Sequence, residues 1–106
     1  LGVINDSNNA PKPIIDLFLS ILEIIELLKI MELNEFIENF AEQFDDTDAS
    51  EIKADTVFKE LDEWSSLVAL SVIAMVDEEY DITIKGDEIW NSNTVEDLFN
   101  AIKAKA

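Results

Sequence analysis

The residues best placed to do chemistry are two adjacent hydroxyls, Ser65 and Ser66, followed by Leu67. They come after a polar, turn-rich stretch and open an apolar pattern of helical spacing. A serine in such a place has two uses. It can cap the helix by accepting a hydrogen bond from a first-turn amide. It can also carry a phosphate, because orphan amides and the helix dipole favour an anion there. Neither serine reads as an independent nucleophile. The 106 residues include no His, no Cys and no Arg. Imidazole bases, cysteine nucleophiles and zinc thiolate sites are therefore excluded. A serine without such a base suits modification by another enzyme better than attack on a substrate.

The surrounding chain must position that hydroxyl. Seven Lys+Arg against 24 Asp+Glu give a formal charge of −17, and 48% of the residues are apolar. One domain is expected at this length. The apolar fraction is too high for a disordered acidic tail. The charge disfavours a nucleic-acid binder, which needs cations to displace counterions from phosphates. It favours partners with basic surfaces. The absence of Cys rules out a disulfide scaffold and fits a cytoplasmic setting. No secretory signal is visible. No membrane span is expected, because Asp16, Glu23, Glu26 and Lys29 interrupt the most apolar stretch.

Residues 1–13, with Asn5, Asp6, Ser7, Asn8, Asn9, Pro11 and Pro13, read as a flexible lead-in. Residues 14–44 have helical spacing. The part up to Met31 is apolar around most of its circumference, so burial on several sides is expected. Self-association through residues 14–44, packing on the bundle and a non-native extension are open alternatives; anionic lipid is disfavoured by three acids against one Lys. From Met31 the helix becomes amphipathic. Leu33, Phe36, Ile37, Phe40 and Phe44 form its stripe, and Glu32, Glu35, Glu38 and Glu42 face water. Residues 1–30 are thus an N-terminal extension, flexible and then helical, and residues 31–106 the domain, with Met31 an alternative start.

Residues 45–63 read as loop, with Val57, Phe58 and Leu61 as anchors. The next helix opens at Ser65 or Ser66 and runs to about Tyr80, with Leu67, Leu70, Ile73, Val76 and Tyr80 at helical spacing. Residues 82–84 are extended, and residues 86–91 form a short helical turn carrying Ile89 and Trp90. Thr94 with Asp97 fits a capping box opening the last helix. Leu98, Phe99 and Ile102 supply its apolar face, and Lys103 and Lys105 suit its C-terminal end.

Acidic residues 45–50 invite a calcium reading. With Asp46 first, Asp48 and Ser50 take the third and fifth ligand positions. Glu51 then stands where Gly is needed and Val57 where the closing Glu belongs, so an EF-hand is rejected.

Residues 31–106 resemble an acyl carrier protein, or a closely related phosphopantetheine-bearing carrier domain. The family signature, Asp-Ser-Leu at the start of the second helix, reads Ser65-Ser66-Leu67 here. Leu70, Ile73 and Val76 follow at helical spacing, and Asp77-Glu78-Glu79-Tyr80 matches the acidic and aromatic end. Ile84, Thr94-Val95, Asp97-Leu98 and upstream Phe58 fall in register without a gap. The resemblance implies an all-α, acyl-carrier-like four-helix bundle of three main helices and one short one, with an extra N-terminal hydrophobic helix. It also implies 4′-phosphopantetheine joined to Ser66, present or absent in a given sample. The arm's thiol would hold acyl groups as thioesters for fatty-acid, polyketide or related biosynthesis, with catalysis left to the partners. Those partners are a phosphopantetheinyl transferase and acyl-transferring or synthase enzymes with basic docking patches. Ser65, Leu67, Leu70, Ala74, Asp77 and Glu78 would contact them. Trp64 and Trp90 could line an acyl cavity, with anchoring of the core or a loop the favoured role. An unmodified carrier-like interaction or oligomerisation module is the alternative.

Two departures bear on that reading. Ser65 replaces the Asp that helps the modifying enzyme engage. Val68 and Ser71 occupy positions that are often acidic, so the start of the recognition helix is less negative than usual.

Overall fold

The computed structural model describes residues 11–106. Among them are four α-helices, α1 (Pro11–Ala41), α2 (Ser66–Tyr80), α3 (Gly86–Trp90) and α4 (Val95–Lys105), with 3-10 turns at Ala49–Glu51 and Phe58–Glu60. The all-α class is as expected. The greater part of the lead-in, residues 1–10, lies outside the described residues. Its last three residues are helical rather than flexible, because proline fits a first helical turn, where amide hydrogens have no partner in any case.

The chain divides into two compact units, with the break after Glu32. In the first, the large apolar side chains of residues 14–31 are 41% to 71% exposed. The expected burial of this stretch on several sides is not found. A helix that is apolar nearly all round needs neighbours on every side, and among the described residues of this unit there is only the helix itself. Lys29 and Glu26 pair across its surface at 3.6 Å. No described helix is long and apolar enough to cross a membrane.

The second unit, Leu33–Ala106, is organised around aromatic rings. Phe36, Phe40, Ala41 and Phe44 are buried. Phe36 stacks at 5.6 Å on Phe99 of α4 and at 6.0 Å on Tyr80 of α2. Phe40 continues the line to Phe58 at 5.5 Å, and Phe58 to Trp64 at 4.9 Å, both edge-to-face. Tilted and edge-on rings of this kind add to plain area burial. The row ends immediately before Ser65. α1 stops at Ala41 rather than at Phe44; the last turn tightens as Phe44 N–H donates to the Ala41 carbonyl at 3.1 Å.

The connection from α1 to α2 is tied down at two places. Glu63 accepts from the Asp45 amide at 2.6 Å, the Asp46 amide at 3.0 Å and the Thr47 hydroxyl at 2.7 Å. Further along, Val95 N–H donates to the Thr56 carbonyl and Glu96 N–H to the Ala54 carbonyl, and Val57 pairs with Thr94 in an isolated antiparallel bridge. Phe58 is fully buried and Leu61 packs against the core, as expected of anchors. Val57 is not an anchor by its side chain, which is 38% exposed. Its backbone makes the tie.

The apolar positions of α2 divide between two faces, contrary to the single stripe expected. Val68, Val72, Met75 and Val76 are buried, whereas Leu67 and Leu70 are 76% and 60% exposed. The helix is apolar on both sides, and spacing alone picks out neither. α2 ends where Asp81 adopts φ 55° and its amide reaches the Asp77 carbonyl at 3.0 Å. This left-handed cap is uncommon for a residue other than glycine.

Residues 82–84 pass without forming a ladder, and Ile84 is buried. In α3, Glu88 accepts from the Lys85 amide and pairs with Lys105, whose ammonium also reaches the Thr83 carbonyl at 3.1 Å. The capping box of α4 is present: Asp97 N–H donates to Thr94 Oγ1, and Asp97 Oδ2 accepts from the Thr94 amide, each at 3.1 Å.

Candidate functional site

Of the two hydroxyls, Ser65 is the cap. Its backbone is extended, and its Oγ accepts from Val68 N–H at 3.3 Å. Ser66 is the first residue of α2, and it is exposed. No acidic residue stands in the first turn. The positive end of a 15-residue helix therefore meets Ser66 without a neighbouring carboxylate in that turn.

A cleft of about 200 Å³ lies beside these serines, lined by Lys59, Trp64, Ser65, Ser66, Ala69, Gly86, Ile89 and Trp90. α2 supplies one wall and α3 the other. Trp64 packs partly into the core, while Trp90 is 76% exposed. Trp64 thus anchors the core, and both tryptophans line this cleft. A Cβ added at Gly86 would meet nothing within 4 Å, so this wall is low and open. Lys59 donates to the Trp90 carbonyl at 2.6 Å, with Nζ 5.3 Å from the indole centroid. An exposed hydroxyl, a carboxylate-free helix start, an ammonium and two indoles suit an anionic phosphodiester bearing a long, partly apolar arm.

The other predicted contact residues lie along one side of α2. Leu67, Leu70, Ala74, Asp77 and Glu78 are all exposed, opposite Val68, Val72 and Met75. Their order runs from apolar near Ser66 to acidic at the far end. No group of three or more potential metal-binding side chains occurs among the described residues. Residues 45–50 instead form a turn in which Asp48 caps Ala49–Glu51 through the Ser50 amide at 3.0 Å.

Sequence reasoning passed over Lys59 and Glu63. Lys59 stands alone in sequence between Lys53 and Lys85, which is its only local signal. Glu63 reads as one acid among many. The Thr47 hydroxyl first, and then the amides of residues 45–47, hold its carboxyl below the usual carboxylate range. Asp97 is lowered by the Thr94 and Asn93 amides. A carboxyl lowered on folding stabilises above its unfolded pKa, and that contribution is lost as pH falls through the folded value. The melting temperature of the native chain should therefore exceed that of Glu63→Gln most at neutral pH. The gap should close as pH drops out of the usual carboxylate range into the lowered one. Thermal melts of the pair across acidic pH check this; a gap independent of pH would contradict it.

The described helices thus present an exposed serine beside a cleft. Residues 34–102 match the family model described as phosphopantetheine attachment site, and the chain belongs to that family. Domains of this family carry covalently attached 4′-phosphopantetheine and are generally not catalytic themselves. Searches among curated proteins and among solved structures find no match.

Proposed function

We propose that the chain is an acyl carrier protein that bears its prosthetic group on Ser66 and delivers acyl intermediates to partner enzymes. The observation that carries this reading is the exposed Ser66 hydroxyl at the start of α2, beside Ser65, which serves as the cap. When bound, the arm supplies a thiol that holds an acyl group as a thioester. The chain offers Ser66 no imidazole, so removal of the serine proton falls to a phosphopantetheinyl transferase. Synthases or acyltransferases would dock on Ser65, Leu67, Leu70 and Ala74, with Asp77 and Glu78 meeting a basic patch. Attraction of this kind weakens with salt. Residues 31–106 would be the carrier domain, with residues 1–30 an extension.

The test is an intact-mass spectrum after incubation with CoA and a broad-specificity phosphopantetheinyl transferase. A gain of one phosphopantetheine is expected. An unchanged mass, both for the native sequence and for Ser65→Asp, would defeat the carrier reading in favour of an unmodified interaction protein.

The apolar surface of residues 14–31 favours an additional role, self-association with a second copy of the chain. Contiguous exposed apolar surface on this scale is rare on a monomer. The full chain should elute as a dimer or larger species in sizing experiments, and the chain without residues 1–30 as a monomer. If both are monomers, the extension is not an oligomerisation device.

A further inference from the structure

We propose that Lys59 and Trp90 form a seat for the prosthetic group, Lys59 pairing with its phosphodiester and the Trp90 indole backing the first part of its arm. This rests on attachment at Ser66. The starting point is charge. Attaching a phosphodiester adds an anion to a chain already at −17. Of the residues lining the cleft beside Ser66, only Lys59 is ionisable.

Lys59 is also held in place without being neutralised. Lys29 and Lys105 pair with Glu26 and Glu88, whereas no carboxylate among the described residues pairs with Lys59. Its Nζ is fixed by a neutral carbonyl, that of Trp90, at 2.6 Å and by the faces of Trp90 and Phe58 at 5.3 Å and 6.0 Å. An ammonium has three donors, and the carbonyl takes one. The charge therefore remains available to an anion on the same cleft. Phe58 is fully buried, so its ring gives the lysine a rigid footing.

Trp90 completes the arrangement. It is the last residue of α3, and it is 76% exposed although Ile89 beside it is buried. Lys59 holds both its carbonyl and its ring, which keeps a large flat apolar surface on the cleft wall across from α2. Such a surface suits the branched methyl carbons and amides next to the phosphate of the arm. Lys59 and Trp90 are thus positioning residues for the attached group.

The test uses the full chain, apo and loaded, with loading measured by intact mass. The Trp90 indole N–H resonance and, in the loaded form, the phosphorus resonance are then recorded for the native protein, Lys59→Met and Lys59→Arg. Loading should shift the Trp90 resonance in the native chain. Fully loaded Lys59→Met should lose that shift and show a displaced phosphorus resonance, and Lys59→Arg should retain both native features. A fully loaded native protein whose Trp90 resonance matches the apo form overturns the seat and leaves attachment at Ser66 standing. No gain in mass defeats the attachment reading, and the seat with it. The comparison within the native chain stands even if Lys59→Met does not fold.

Discussion

Ser66→Ala should take up no prosthetic group from CoA, whereas Ser65→Ala should still gain its full mass. The two hydroxyls are chain neighbours but do different physical work. Ser65 Oγ accepts from the Val68 amide, and its loss leaves a first-turn donor without its cap. That costs about 1 kcal/mol of stability. Ser66 is inside the helix, exposed, and the residue to which the arm would be joined. Ser65→Asp should keep the cap, since Asp caps as well as Ser. It would also place a carboxylate at the positive end of α2, adding about 0.3–1 kcal/mol. Because it restores the family signature, it should load faster than the native chain. Intact-mass time courses of all four proteins, beside their thermal melts, separate these effects. A mass gain in Ser66→Ala would show that the arm is joined elsewhere.

Phe58→Ala should damage the fold far more than any of these serine variants. Its ring is fully buried, edge-on to Phe40 at 5.5 Å and to Trp64 at 4.9 Å. Emptying such a position costs about 3–5 kcal/mol. Domains have roughly 5–15 kcal/mol in total, so a domain at the low end of that range would be left near its unfolding midpoint. Leu70→Ala supplies the contrast. Leu70 is 60% exposed, and its truncation should change stability by no more than about 0.5 kcal/mol. Denaturant titrations of the two variants give the comparison. Equal shifts would mean that the aromatic row does not hold the domain together.

The parts of the molecule that were legible in its sequence are those set by local rules. The Thr94–Asp97 capping box needs only four consecutive residues, and it is present. The Ser65 cap and the span of α2 follow from a polar-to-apolar change at one point. Less legible was which face of α2 is buried. Leu67 and Leu70 are as apolar as Val68 and Val72, and periodicity cannot tell a core from a docking surface when both are apolar. Contacts between residues distant in sequence were not legible at all. Lys59 and Trp90 meet only because α3 is set beside the turn at Phe58–Glu60. Glu63 gathers residues 45–47 from the far end of the connection. Nothing in the run of acids distinguishes it from its neighbours. The unbroken α1 has a simpler cause: no glycine or proline lies between Ile14 and Ala41 to stop it.

The two ties on the connection between α1 and α2 also alter what that connection costs to close. Glu63 joins its two ends, and the Ala54, Thr56 and Val57 backbone anchors its middle to the start of α4. One long span becomes several short circuits, each with fewer conformations to give up on folding. Such circuits leave little slack for a protease to pull a strand into its cleft.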